Sequence, residues 1–162
     1  MILDEHMIPI FFEGWKVYQE RLVKVIAPLS AKQLSLRTIP QLRTVGEIAT
    51  HIIGARARWF YMGFEAGGEA FKDFGTWDRK DSPVRSADEL VHAFNATWAG
   101  MHAAIASWTP EVWAQTWPGE DESEPEIVTP HWIIWHLIEH DLRHGGEISI
   151  TLGASGIAGI PL

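Results

Sequence analysis

The chain contains no cysteine. That excludes a disulfide framework and any thiolate metal site, so a bound metal would rely on His, Asp or Glu. Cations are also scarce: 13 Lys and Arg stand against 21 Asp and Glu, for a formal charge of −8. A chain of that sign repels phosphate backbones, and no basic run with interleaved aromatics offsets it, so no nucleic-acid partner is expected. Long hydrophobic runs are missing too. Every apolar stretch falls far short of the ~20 residues a membrane span needs, so no membrane association is expected. The segment Met1-Ile2-Leu3-Asp4-Glu5-His6 has neither a basic flank nor a long apolar core. It does not read as a secretory signal, and the expected location is the cytoplasm.

What remains is a chain of ordinary globular composition, 46% hydrophobic and 21% charged, with nine Trp that read as core and interface filler. Its 162 residues fit one domain over 1–162, burying about 70% of the surface an unfolded chain exposes. Four long segments show helical periodicity, and none reads as a strand. The first runs from about Phe11 to Pro28, with Phe12, Trp15, Val17, Tyr18, Leu22, Val25 and Ile26 recurring at three- and four-residue steps. The second opens with the capping box Thr44-Val45-Gly46-Glu47 and continues to about Met62. The third opens with a similar box, Ser86-Ala87-Asp88-Glu89, and runs through Ile105. A short turn is read at Thr109-Pro110-Glu111. The fourth starts at Thr129-Pro130 and ends near Leu152. Residues Glu65 to Arg85 read as an irregular connection, and the acidic run Gly119 to Glu126 as a solvated loop. The expectation is an all-α four-helix bundle with long connections between helices 2 and 3 and between helices 3 and 4.

The fourth segment carries His136, His140 and His144 at i, i+4 and i+8. At about 100° per residue these drift only about 40° per step, so they share one face. Glu147 falls between His136 and His140 on that wheel, with Arg143 about 20° to the other side of His136. A solvated outer face is the plain alternative, but such faces usually carry Lys and Glu rather than imidazoles. Two histidines four apart can bind one ion, because their ring nitrogens converge above the helix surface. His51 adds a third imidazole from the second helix, in a run of apolar neighbours. Three neutral nitrogen ligands with open positions make a catalytic metal site rather than a closed structural one.

The run from Thr44 through His51 to Trp59, with His140-Asp141-Leu142-Arg143-His144-Gly145-Gly146-Glu147-Ile148, resembles the DinB/YfiT-like superfamily. The resemblance covers nearly the whole chain. It implies an up-down-down-up bundle and a homodimer. It also implies a divalent metal, nickel or zinc most often and iron, manganese or cobalt otherwise, on His51, His140 and His144. Characterised relatives are transferases and isomerases that use low-molecular-weight thiols such as bacillithiol, mycothiol or glutathione. The expected activity is thus thiol-dependent S-transfer or isomerisation of a small-molecule electrophile. Where many relatives read His-Arg-Gly-Gln, this chain has His144-Gly145-Gly146-Glu147, and the missing Arg removes a charged neighbour from the site. A metal-dependent hydrolase with Glu147 or His136 as base, and a non-catalytic binding protein, are the alternatives. His136 is read as lining the pocket, with an alternative ligand, a proton shuttle or a packed core residue left open. His6, His92, His102 and His131 are read as structural or surface residues.

Overall fold

Trp15, Gln19, Leu22 and Ile26 recur at three- and four-residue steps, and all four are buried on helix α1 (Met7–Ile26). A single turn, α2 (Ala31–Leu34), follows behind a Ser30–Gln33 capping box. Helix α3 (Val45–Phe64) opens on the Thr44–Glu47 box and ends at Glu65 in a left-handed conformation, φ 52°. Then come α4 (Gly68–Phe74), α5 (Ala87–Ala106) behind the Ser86–Glu89 box, and the single turn α6 (Pro110–Trp113). Two antiparallel two-residue strands, β1 (Trp117–Pro118) and β2 (Ile127–Val128), precede helix α7 (Pro130–Ala154). This computed structural model describes residues 7–119 and 124–161.

Side-chain pairs fix the directions of the four long helices. His51 meets His144, Arg56 meets Asp141 and Trp59 meets His136, so α3 and α7 run antiparallel. Trp15 reaches Asp141 and Tyr18 reaches Leu142, while Phe11 and Phe12 share a groove with Ile134 and Trp135, so α1 and α7 run parallel. Arg56 lies over Phe94, and Gly63 shares a groove with Gly100 and Ala104, so α3 and α5 run parallel. The order is up-down-down-up, as expected. Ile52, Ile53, Phe60, Leu90, Phe94, Leu137 and Ile148 are fully enclosed between these helices.

The departures from expectation are local. The strand pair was not read, because two residues are too few for a periodicity; Val128 is nonetheless buried and Trp117 packs edge-on against Phe64. Nor was α4, whose Phe71 and Phe74 are buried under a Gly-rich start. Helix α1 begins at Met7 rather than about Phe11 and stops at Ile26, before Pro28. His6 and residues 120–123 of the acidic run lie outside the described residues. Among the described residues, no helix is long and apolar enough to cross a membrane.

Candidate metal centre

His51 projects from the middle of α3, and His140 and His144 from successive turns of α7. Each of the three offers a ring nitrogen, and these lie within 4.8 Å of one another. The Nε2 atoms of His51 and His140 are 3.2 Å apart. Two nitrogens sharing one ion at 2.0–2.1 Å in a tetrahedral arrangement stand about 3.3–3.4 Å apart, so the observed spacing suits a common cation.

Carboxylates hold two of the rings from behind. His51 Nδ1 bonds Asp78 Oδ2 at 2.8 Å, and His144 Nδ1 bonds Glu147 Oε2 at 3.0 Å. A proton on each Nδ1 leaves the Nε2 lone pair free, the tautomer a metal requires. Asp78 is itself held by Arg58, with bonds of 2.6 and 2.9 Å, and Arg58 also donates to the Gly75 carbonyl at 2.8 Å. Burial alone would raise the Asp78 pKa, but the His51 and Arg58 contacts outweigh it and hold the carboxyl well below its usual range. Gly54, one turn after His51, leaves room for this arrangement. A Cβ there would lie 2.9 Å from both Arg58 Nη1 and Asp78 Oδ1.

The donor set fits a divalent ion on a further count. Burial, reinforced by the neighbouring imidazoles of His144 and His51, lowers the His140 pKa to about 2. Burial also lowers that of His144, against the opposing pull of Glu147. Both rings are therefore neutral at ordinary pH, as ligation demands. His140 Nδ1 is buried with no hydrogen-bond partner. With the His51 Nδ1 proton given to Asp78, the 3.2 Å contact places a proton on His140 Nε2 and strips Nδ1 bare. A cation shared by the two Nε2 lone pairs would replace that proton, and His140 would then carry its proton on Nδ1.

Two other residues of the histidine stripe behave differently. His136 stacks on Trp132 at 4.8 Å and 7° and meets Trp59 edge-on at 5.4 Å; it is not among the three converging imidazoles. Arg143 is exposed at the edge of the stripe, and its charge helps lower the His144 pKa. Beyond the stripe, His131 packs against Trp113, His92 against Phe74 and His102 against Trp98.

Beside His140 lies a second polar group, wholly inside the bundle. Arg56 and Asp141 have no exposed surface and pair through two guanidinium nitrogens. Trp15 Nε1 donates to the same carboxylate at 2.6 Å, and Arg56 donates to Gln19 at 2.7 Å. Nearby, Tyr18 Oη reaches the Leu142 carbonyl at 3.4 Å, and burial with the Asp141 charge pushes its pKa up to about 12. Sequence reasoning missed Asp78, Arg58, Arg56 and Asp141. For Arg56 a signal was present, a charge between Ala55 and Ala57 on a helix.

Residues 15–148 match the DinB superfamily. The chain belongs to that superfamily. Among solved structures, a DinB-like protein from Bacillus cereus ATCC 10987 superposes with a TM-score of 0.70 at 21% identity, covering 94% of each chain. A DinB-like protein from Bacillus subtilis gives 0.63 at 13% identity, covering 93% of this chain and 95% of the other. Identities this low carry the fold and not the chemistry. No curated protein matches the chain.

Proposed function

We propose that the chain is a metal-dependent enzyme, a thiol-dependent S-transferase or isomerase acting on small electrophiles. The observation that carries the reading is the convergence of His51, His140 and His144, with His51 and His144 braced by carboxylates on Nδ1. These three residues would hold a divalent ion, with nickel or zinc preferred. Such an ion supplies Lewis acidity, lowering the pKa of a thiol or water that reaches it. Three protein ligands leave room for that molecule.

The surrounding residues supply the rest. Asp78 and Glu147 fix their imidazoles and raise their basicity. Glu147 is also 43% exposed, so its free oxygen is placed to take a proton from an incoming thiol. His136, Trp132 and Trp59 form an aromatic wall one turn away, suited to an apolar part of the electrophile. The chain has no cysteine of its own, so the sulfur in this reading arrives as a cosubstrate.

The test is elemental analysis of protein purified without a histidine tag, followed by an assay with a chloronitrobenzene and a panel of thiols. About one ion per chain and turnover that requires both metal and thiol are expected. Turnover of an ester without thiol would assign hydrolysis instead, and protein that takes up no divalent ion would overturn the reading.

A further inference from the structure

The chain carries an excess of eight negative charges, yet one cleft has the opposite sign. It lies between the segment leading into α3 and the connection from α4 to α5, with a volume of about 630 Å³. That is within the range of small-molecule sites, about 300–1,000 Å³. Its walls hold five cations, Arg37, Arg43, Arg79, Lys80 and Arg85, against the carboxylates Glu47, Asp78 and Asp81. Arg37 approaches Glu47 at 3.8 Å, and Arg85 is committed to Glu89 at 3.3 Å and to the face of Trp77 at 4.1 Å. Asp78 is committed to His51 and Arg58. Among the described residues, Arg43, Arg79 and Lys80 have no carboxylate partner. Three such charges against Asp81, whose carboxylate lines the same cleft, leave a net positive potential focused into it.

We propose that this cleft binds a small, multiply charged anion, the carboxylate- or phosphate-bearing part of a substrate or cosubstrate. Arg43, Arg79 and Lys80 supply the charge and the hydrogen-bond donors. The cleft backs onto the three-histidine group: Asp78 lines it and bonds His51 Nδ1, the ring nitrogen on the far side from the His140 contact. An anion held here lies next to the carboxylate that holds His51, one side chain removed from the converging Nε2 atoms. Binding of the anion stands independently of the proposed activity; its service to the reaction rests on that reading.

The probes are mercaptosuccinate, which joins a thiol to two carboxylates, its dimethyl ester, citrate and inorganic phosphate. Each is titrated calorimetrically into wild-type protein and into the R43E/R79E variant. Mercaptosuccinate, and citrate or phosphate with it, should bind wild type with an affinity that falls as salt rises. Esterification and the double reversal should each weaken mercaptosuccinate binding about tenfold or more. Citrate competing better than phosphate would assign the carboxylate source, and the reverse order the phosphate source. Failure of all three anions to bind, or equal binding by R43E/R79E, would overturn the proposal. Nickel uptake, measured on the same samples, should be unchanged by R43E/R79E, so loss of metal chemistry and loss of anion binding are read separately.

Discussion

Asp78 grips His51 Nδ1 at 2.8 Å while its two oxygens are themselves gripped by Arg58. An anchored carboxylate of this kind fixes both the orientation and the tautomer of the ring it holds. Replacing Asp78 with Asn removes the charge and keeps the shape. Metal affinity is expected to fall by about 10- to 100-fold with the helical circular dichroism unchanged. Competition against a chelating dye measures it, and an unaltered affinity would show that His51 needs no brace.

The three imidazoles and their neighbours should separate cleanly by mutation. His144→Ala takes away one of three nitrogen donors, so occupancy should collapse, while Ala leaves the helix intact. Glu147→Gln should retain most of the metal, with a loss within about 10- to 100-fold in affinity or activity. His136→Ala should resemble the Glu147 change, since its ring stacks on Trp132 outside the converging trio. An empty His136→Ala site beside a full His144→Ala site would mean that the true ligand pair lies one turn earlier.

A different kind of dependence is expected at Arg56 and Asp141. Breaking a buried ion pair by removing one partner leaves a charge stranded in the core, at a cost of about 3–5 kcal/mol. Asp141→Asn should lower stability by roughly that amount in urea unfolding. The double change R56M/D141L should be more stable than either single variant, because no lone charge remains. A double variant less stable than both would mean the pair contributes net stability.

Acid should weaken the metal-free protein through the same histidines that would bind the ion. His140 and His144 have folded pKa values below the ordinary 6.5, so below that pH the unfolded chain takes up protons that the folded chain refuses. Stability is therefore complete above about pH 6.5 and falls as pH drops, by at most about 1.4 kcal/mol per unit for each such ring. Asp78 acts lower down: its depressed pKa contributes stability that is complete above the ordinary carboxyl value of 3.8 and is lost as pH falls from there toward its folded value. Thermal melts between pH 7 and 4.5 test the histidine part. A flat melting temperature over that span would contradict it, and saturating zinc should raise the whole curve by ligand linkage.

We further propose that two copies of the chain associate. Ile10, Phe11 and Trp135 are 68%, 45% and 58% exposed on α1 and α7, which run side by side in parallel. A two-fold axis across such a helix pair sets the same apolar face against itself. Sedimentation should show a dimer at micromolar concentration and a monomer for Trp135→Glu. A wild-type monomer would reject it.

Much of this was legible along the chain because it is local. The Thr44–Glu47 and Ser86–Glu89 boxes each close within four residues, and the structure makes both reciprocal pairs of hydrogen bonds. The fourth-helix histidines share a face because four residues nearly complete a turn, and the convergence of His51 on them followed from helices facing each other. What was lost was set by distance. Asp78 lies 27 residues from His51, inside a stretch whose Gly and Pro content announced only a turn. Arg56 and Asp141 are 85 residues apart, and neither alone announces a partner. Ser30 and Gln33 form the same kind of box as Thr44 and Glu47, but the helix they open is a single turn with no periodicity to follow.

Gly54 leaves the space in which Asp78 and Arg58 meet. A mid-helix Gly→Ala change ordinarily favours a helix by about 1 kcal/mol. Here the added methyl would be driven into the pair behind His51, so Gly54→Ala would mimic loss of Asp78 while every ligating side chain stayed in place. In a genetic screen such an allele would map to the chemistry without altering any residue that performs it.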